Sequence, residues 1–267
     1  MSQNYQIEFK KLVRIVTRLR APQGCPWDRQ QTHRSLREFL LEECYEALAA
    51  LDEGNVQKLR QELGDLLLQI LLHSQIAEEN KEFSLEDVLS EIGQKLIRRH
   101  PHVFGTTAVQ NAAEVAHNWE QIKKGERQPG ASILESIPAQ LPALAYGQDM
   151  QRRAAQSGFD WENTEGVIEK LVEEVREFEG ASGQAEKEEE FGDLLFTLVN
   201  LARRLGIDSE SALREADRKF FHRFSYMESL CRERGLSLEK LSPDEQNGLW
   251  EEAKRAVTRQ PPKAPLV

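Results

Sequence analysis

Glu42-Glu43-Cys44-Tyr45-Glu46, followed by Glu62-Leu63-Gly64-Asp65-Leu66-Leu67, is the stretch that decides the fold, because the chain repeats it about 130 residues later. The second copy is Glu173-Glu174-Val175-Arg176-Glu177, followed by Glu190-Phe191-Gly192-Asp193-Leu194-Leu195. Single acidic runs are common on helix surfaces, whereas two matched pairs of acidic segments are not expected by chance. The pattern therefore indicates an internal duplication.

The acidic residues of each segment are spaced for one face of a helix. Glu43 and Glu46 are three residues apart, as are Glu62 and Asp65, so each helix offers two carboxylates to one partner. The apolar stripe of the first segment passes through Glu43 and otherwise consists of Leu36, Phe39, Leu40, Ala47 and Ala50. We therefore expect the carboxylates to point inward, although a solvated helix face is the alternative interpretation.

Inward carboxylates need compensation, because converging negative charges repel one another and lose their hydration. A divalent metal ion supplies that compensation. Oxygen ligands alone favour a hard ion, and Mg²⁺ binds a few carboxylates while it keeps positions for water and substrate phosphates. The spacing therefore predicts a metal site for phosphate chemistry, with a second, weaker site in the first half at Glu43, Glu46, Glu62 and Asp65.

The repeat continues beyond the acids. In each half, two cations four residues apart and then a tryptophan follow: Lys95, Arg99 and Trp119 in the first half, and Lys219, Arg223 and Trp250 in the second. Surface ion pairs and ordinary aromatic packing are the alternative interpretations of these residues. Because the whole set recurs, we predict that complete domains are duplicated.

The composition excludes several classes of protein. The chain has 267 residues, a formal net charge of −10 and three cysteines that are far apart. The acidic balance argues against broad binding to nucleic acids or anionic membranes, and the cysteines indicate neither a disulfide framework nor a zinc site. No apolar run of about eighteen residues and no basic leader occurs, so we expect a cytoplasmic protein without a membrane span.

Helical spacing dominates the sequence, and no strand pattern is evident. Residues 5–20, 34–52, 55–79 and 85–99 show this spacing most clearly, and Ser84 with Asp87 predicts a helix start. Glycine and proline interrupt it between 125 and 142. We predict an all-α protein with two tandem helical-bundle domains, at 1–124 and 143–259, a linker at 125–142 and a disordered tail at 260–267.

Together these features closely resemble the MazG family of tandem-domain, all-α nucleoside triphosphate pyrophosphohydrolases. The resemblance covers nearly all of the chain. Beyond the two acidic sets, it extends to Gly24-Cys25-Pro26-Trp27-Asp28, Arg98-Arg99-His100-Pro101-His102-Val103-Phe104, the Trp119 segment and Gly158-Phe159-Asp160-Trp161.

The resemblance implies Mg²⁺-dependent hydrolysis of ribo- and deoxynucleoside triphosphates, with a broad range of bases, to the monophosphate and pyrophosphate by a homodimer. It places the metal ligands and catalytic acids of the second domain at Glu174, Glu177, Glu190 and Asp193. It places the substrate contacts at Lys170, Leu171, Val172, Glu173, Glu174, Glu186, Lys187, Glu188, Glu189, Lys219, Phe220, Phe221, His222, Arg223 and Trp250.

For each group of residues we state a hypothetical role in the reaction. The acids hold Mg²⁺ against the phosphate oxygens and activate a bound water that attacks between the α and β phosphates. Lys219 and Arg223 neutralise phosphate charge, and Trp250 stacks on the base. Asp217 of the second domain corresponds to Gly93 of the first, so we expect the second domain to be the main catalyst.

Two other classes of protein are alternatives. A carboxylate di-iron oxidoreductase needs a histidine three residues after one of the glutamates, but those positions hold only acids. A non-catalytic nucleotide-binding or regulatory helical protein would keep the cations and Trp250 but would not turn over substrate. Incubation with a triphosphate and Mg²⁺ distinguishes that protein from an enzyme.

Overall fold

The computed structural model describes residues 4–126 and 130–258, and the regular structure in these ranges is helical, without a β-strand. The all-α prediction is confirmed. The chain divides into two compact units, with the boundary directly after Glu126. The tail predicted at 260–267 lies outside the described residues. No helix in the described ranges is long and apolar enough to cross a membrane.

The helices of the first unit match the sequence expectation closely. They are α1 (Asn4–Arg20), α2 (Pro26–Gln30), α3 (Arg37–Asp52), α4 (Val56–Asn80), α5 (Leu85–Arg99), α6 (Pro101–Phe104) and α7 (Ala112–Gly125). Ser84 begins α5 with a capping box, in which its Oγ accepts from Asp87 N at 3.2 Å and its N donates to Asp87 Oδ2 at 2.8 Å.

The second unit repeats the long helical hairpin of the first. Its helices are α8 (Ala143–Gln156), α9 (Thr164–Gly180), α10 (Gln184–Arg204), α11 (Ser209–Arg234) and α12 (Pro243–Thr258), with a 3₁₀ turn at Leu238–Lys240. Asn163 caps α9 by accepting from Gly166 N at 2.9 Å, and Asp208 caps α11 by accepting from Ser211 N at 2.7 Å.

Each unit carries its acidic set on a hairpin of two packed helices. α3 packs against α4, and α9 packs against α10. The connections, residues 53–55 and 181–183, are equally short, so the helices of each hairpin run antiparallel. This arrangement places the acids of one helix opposite those of the next.

Each unit has its own cluster of buried side chains. In the first unit the cluster consists of Val16, Leu36, Leu71, Leu72 and Ile76, which joins α1 and the residue before α3 to α4. In the second it consists of Met227, Leu230, Cys231, Leu249 and Ala253, which joins α11 to α12. Each unit therefore buries a core of its own.

Residues 130–142 pack on the second unit, although they fall within the predicted linker. Ile137 is buried, and Arg153 Nη1 of α8 donates to Ile133 O at 3.0 Å. Residues 127–129, also in that segment, lie outside the described residues. The second unit thus begins structurally well before its first long helix.

Candidate functional site

The acids of the second unit converge between α9 and α10. One carboxylate oxygen from each of Glu174, Glu177 and Glu190 lies within 4.8 Å of the other two. Asp193, one helical turn after Glu190, lines an adjoining cavity together with Glu174, and its charge acts on Glu190. The structure brings three of the predicted acids into one cluster and places Asp193 beside it.

Glu174 is the most deeply buried of these acids. Its exposed fraction is only 4%, and its Oε1 lies 3.0 Å from Lys170 Nζ. Its Oε2 is buried and has no hydrogen-bond partner in the described part of the chain. A buried acceptor without a partner loses about 1–3 kcal/mol, and a charged one loses more, so this oxygen is suited to a cation.

In the described part of this unit, Lys170 is the cation that contacts the cluster. Its Nζ lies 2.9 Å from Glu173 Oε1 and 3.8 Å from Glu177 Oε2, in addition to its bond with Glu174. The hydrogen bonds to Glu173 and Glu174 raise the pKa of Lys170 above its ordinary value. Glu173 is exposed on the outer side of α9, where it shares Lys170 with the cluster.

The pKa of Glu190 reflects both burial and repulsion from the neighbouring acids. Burial raises the pKa of this carboxyl above its ordinary value, and the charges of Glu177, Asp193 and Glu174 raise it further. Lys170 compensates Glu173, Glu174 and Glu177 by direct contact, whereas Glu190 receives its largest electrostatic effects from other acids. The cluster therefore has more negative charge than one lysine offsets.

We expect Lys170→Met to destabilise the metal-free protein by about 1–3 kcal/mol, because Glu174 would keep its burial and lose its bonded partner. The measurement is urea unfolding in the presence of a chelator. Lys187→Met is the matched control, since Lys187 is an exposed lysine on α10. Equal stability of the two variants would contradict the compensating function of Lys170.

The first unit assembles its own acids in the same way. Oxygens of Glu43, Glu62 and Asp65 lie within 4.8 Å of one another, and Glu46 is close enough to raise the pKa of Glu62, after the larger effect of burial. Burial raises the pKa of Glu43, and Asp65, Glu46 and Glu62 raise it further. All four acids predicted for the first half are thus brought together.

The two acidic sets differ in their cations. In the register of the repeat, Phe39 of α3 takes the position that Lys170 has on α9. Phe39 has no charge to offset the acids. Its ring packs edge-on against Trp27, with ring centroids 5.8 Å apart. Lys58 lowers the pKa of Glu62 slightly against the larger effects of burial and Glu46, which raise it.

The predicted contact residues at the start of α10 have structural partners. Glu186 accepts from Ser182 N at 2.9 Å and from Ser182 Oγ at 3.2 Å, and these bonds lower the pKa of Glu186. The segment Lys187–Glu189 is exposed. On α9, Leu171 is half-buried and Val172 is exposed. Glu186 therefore closes the turn between the two acidic helices.

The predicted cations and tryptophan of the second unit lie on α11 and α12. Arg223 Cζ is 5.8 Å from the centroid of the Trp250 ring, and the Phe220 ring centroid is 5.5 Å from it. Lys219 is exposed on α11, as are Phe221 and His222. In the described part of the chain, no hydrogen bond or ion pair joins Lys219 or Arg223 to the acidic cluster.

The arginine and tryptophan pairing recurs in the first unit. Arg99 Cζ is 5.5 Å from the centroid of the Trp119 ring, as Arg223 is close to Trp250 in the second unit. Arg99 also bonds to Glu126, with Nη2 2.5 Å from Oε2. The duplication predicted from the spacing of these residues is therefore present as a duplicated cation and ring contact.

A cavity of about 680 Å³ adjoins the acidic cluster of the second unit. Lys170, Glu174 and Asp193 form one side of it, and α8, the loop after α8 and the later turns of α10 form the rest. The sequence analysis named Trp161 only as part of a family motif, and it did not single out four other lining residues: Gln151, Phe196, Asn200 and Arg203. The available signal was that Phe196, Asn200 and Arg203 continue the Asp193 face of α10.

Comparisons with known proteins agree on one family. A family model described as the MazG nucleotide pyrophosphohydrolase domain matches residues 31–104, which include the first acidic set. The chain is 48% identical over 249 residues to the "Nucleoside triphosphate pyrophosphohydrolase/pyrophosphatase MazG" of Thermotoga maritima, covering 93% of this chain and 96% of that protein. It is 42% identical over 256 residues to the "Nucleoside triphosphate pyrophosphohydrolase" of Escherichia coli, covering 93% and 97%.

Among solved structures, similarity is found to the crystal structure of a mazG-related protein from Thermotoga maritima. The match has 26% sequence identity and a TM-score of 0.38, and it covers 43% of this chain and 98% of that one.

Proposed function

This chain belongs to the MazG family of nucleotide pyrophosphohydrolases, and on that basis we propose that it hydrolyses nucleoside triphosphates to the monophosphate and pyrophosphate at the acidic cluster of its second unit. The resemblance deduced from the motifs is thereby confirmed at the level of the family. The observation that carries the choice of site is the buried, unpartnered oxygen of Glu174 among three converging carboxylates.

The donor set suits Mg²⁺. Its ligands are carboxylate oxygens, they converge within 4.8 Å, and one of them is buried without a partner. Glu174, Glu177 and Glu190 would hold the ion, with Asp193 at the side of the cavity. When bound, Mg²⁺ supplies charge neutralisation and Lewis-acid polarisation at a phosphoryl oxygen.

The chain's own side chains position the substrate around that site. Lys170 reaches three of the acids and is held there, so it is placed to keep their geometry fixed while a triphosphate enters. Lys219 and Arg223, with the segment Glu186–Glu189, are the proposed contacts to phosphate. The bond that forms joins a water oxygen to the α-phosphorus, and the bond that breaks releases pyrophosphate.

The second unit is the proposed catalyst because it holds the better-compensated cluster. The first unit has Phe39 at the position of Lys170 and Gly93 at the position of Asp217, so both charged positions of the second unit are absent from the repeat. A metal held by the first set would be a second, weaker site that supports the structure.

We expect Glu43→Gln to retain most of the hydrolytic activity, because it alters only the first set. The measurement is the rate of pyrophosphate release, in parallel with the same change at Glu174 in the second set. Loss of turnover in the Glu43 variant would show instead that the first unit is the catalyst or that both units are required.

Assembly as a homodimer is the proposed partner relationship. Exposed apolar side chains form a helical stripe on each helix of the second hairpin, at Ile168, Val172 and Val175 on α9 and at Phe191, Leu195 and Leu198 on α10. Such a stripe on both helices is typical of a surface that a second copy covers. We expect light scattering to give twice the mass of one chain, and a monomer at micromolar concentration would contradict this.

The test of the function is product analysis with purified protein and a panel of ribo- and deoxynucleoside triphosphates, first with Mg²⁺ and then with a chelator. The expected products are monophosphate and pyrophosphate, with metal only and over a broad range of bases. Diphosphate and phosphate would mean attack at the terminal phosphorus. Binding without turnover would favour the alternative of a nucleotide-binding regulatory protein.

A further inference from the structure

The first unit contains two histidines whose rings are in direct contact. His33 lies in the turn before α3, His73 lies on α4, and their Nδ1 atoms are 2.7 Å apart. The ring planes are within 7° of parallel, and the ring centroids are 5.0 Å apart. The centroid distance equals the nitrogen distance plus the radii of the two rings, so both nitrogens lie on the line that joins the centroids. The two nitrogens therefore face each other in the plane of the rings.

This head-on geometry suits a proton and not a metal ion. An imidazole nitrogen lies about 2.0–2.1 Å from a bound zinc ion, so two nitrogens on opposite sides of one ion would be about 4 Å apart. The observed 2.7 Å is the length of a short hydrogen bond, in which one Nδ1 carries the proton and the other accepts it. The pair of facing nitrogens thus holds one shared proton.

The turn that carries His33 is fixed by its own hydrogen bonds. Thr32 N donates to Ser35 Oγ at 2.9 Å, and Ser35 N donates to Thr32 Oγ1 at 3.1 Å. Leu36, the next residue, is 1% exposed and belongs to the same buried cluster as Leu72 of α4. The histidine contact therefore lies where the start of α3 packs on α4.

Glu82 compensates a charge on one of the two rings. Its Oε2 lies 3.5 Å from His33 Nε2. Lys81, at φ 60°, ends α4 and lets Glu82 N bond to Ala77 O at 2.9 Å, which fixes the position of Glu82. By contrast, His73 Nε2 is buried and has no hydrogen-bond partner among the described residues. A positive charge is therefore compensated on His33 and uncompensated on His73.

Other charged groups of the elements packed on this part of α4 have partners elsewhere or are exposed. Arg20 of α1 bonds to Glu79, with Nη2 2.8 Å from Oε2, and Asp87 bonds to Ser84 at the start of α5. The exposed groups are Arg34 and Arg37 beside the turn, Glu78 on α4 and Lys81 after it. Burial lowers the pKa of His73 below its ordinary value, and the charge of His33 lowers it further.

We propose that His33 and His73 form a proton-dependent latch, which holds the start of α3 on α4 and opens when both rings are protonated. A first added proton leaves the shared hydrogen bond intact, because His33 then donates from Nδ1 to His73 and from Nε2 toward Glu82. A second added proton places an N–H on each of the facing nitrogens, so the acceptor is lost and two positive charges meet.

Acid weakens this latch. Above the ordinary histidine pKa of about 6.5, the ring of His73 is neutral in the folded and the unfolded chain, and the latch is closed. As the pH falls through that value, the unfolded chain takes up a proton at His73 that the folded chain does not, because the folded-state pKa of His73 is lowered. The first unit therefore loses stability from about pH 6.5 down to that lowered pKa.

The second unit has no counterpart of the latch. Aligned on the aspartates of the acidic sets, the position of His73 is occupied by Leu201. His222 is the single histidine in residues 127–261, so a histidine pair cannot form within that unit. Acid should therefore loosen the turn before α3 and leave the turn before α9 unchanged.

The test is amide hydrogen exchange of the full chain between pH 7 and pH 5, in chelator and corrected for the intrinsic exchange rate. We expect the protection of residues 31–36 in the parent chain to fall by up to about tenfold per pH unit below about pH 6.5, the slope that one linked proton gives. His73→Leu introduces the residue of the second unit and should abolish this fall. His102→Gln removes a different histidine of the first unit and should behave as the parent chain does.

A second variant covers the case in which His73→Leu does not fold. His33→Gln removes the other ring, and NMR titration should then give a higher pKa for His73 than in the parent chain, because the charge of His33 is gone. The acids of the first set titrate in parent and variants alike, so the difference between chains isolates the pair. An equal loss of protection in the parent and in His73→Leu, or protonation of both rings of the parent near the ordinary pKa of about 6.5, would overturn the latch.

Discussion

Glu174→Gln is expected to lower the rate of metal-dependent triphosphate hydrolysis by about 1000-fold, because the charge stabilisation that a site metal provides is worth several kcal/mol. Glu174 is the buried member of the proposed ligand set, and its Oε2 has no hydrogen-bond partner among the residues that the structure describes. A neutral amide keeps the size of the side chain but donates through one of its two terminal atoms. The variant should therefore fold and fail to hold the metal.

The measurement is the initial rate of pyrophosphate release at saturating Mg²⁺, together with a calorimetric titration of the metal. Glu169→Gln is the matched control: Glu169 is an exposed glutamate on the same helix, and its replacement should change the rate by no more than about twofold. A Glu174 variant with parental turnover would place the chemistry elsewhere.

Glu190→Gln is expected to abolish hydrolysis to a similar extent while it makes the metal-free protein more stable at neutral pH. The pKa of Glu190 is raised by burial and by the charges of Glu177, Asp193 and Glu174, so the ionised form is disfavoured in the folded state. As the pH rises through the unfolded-state pKa, the unfolded chain loses its proton first, and folding becomes less favourable. Removal of the charge removes that penalty.

The difference in stability between the Glu190→Gln variant and the parent should depend on pH. Well below the ordinary glutamate pKa, the carboxyl is protonated in both states, and parent and variant should have the same midpoint for thermal unfolding. Above the raised folded-state pKa, the full difference should be present, with the variant higher. The measurement is thermal unfolding in chelator at a series of pH values. A variant that is less stable than the parent at pH 7 would mean that Glu190 has a favourable partner.

The helices of the first unit could be predicted closely from the sequence, and the reasons are local. Predicted stretches 5–20, 55–79 and 85–99 agree with α1, α4 and α5 to within one residue at each end, and 34–52 begins three residues before α3. Glycine, proline and the Ser84 capping box act locally, so they fix helix ends without knowledge of the tertiary structure. The convergence of the acids followed from their spacing on two consecutive helices.

The cavity could not be deduced in the same way. It depends on the conformation of the loop after α8, where Asp160 and Arg204 hold Trp161 against Gly166. Contacts between residues about forty positions apart in sequence leave no periodic signal. The orientation of Gln151 was equally hidden, because the backbone carbonyl of Phe196 fixes its amide.

The difference between the two acidic sets was visible in the sequence but needed the structure for its interpretation. Lys170 and Phe39 occupy matched positions of a repeat that otherwise conserves its acids between halves. Only the geometry shows that Lys170 reaches Glu173, Glu174 and Glu177 at once. A single exchange of cation for aromatic ring thereby distinguishes two clusters with the same carboxylates.

The most direct test of the account is hydrolysis of a nucleoside triphosphate in ¹⁸O-labelled water with Mg²⁺, with the products separated and analysed by mass spectrometry. The account predicts one labelled oxygen in the nucleoside monophosphate, unlabelled pyrophosphate, and no products from the Glu174→Gln variant. Label in inorganic phosphate or in pyrophosphate, or unchanged labelling by that variant, would contradict attack on the α-phosphorus at the second acidic cluster.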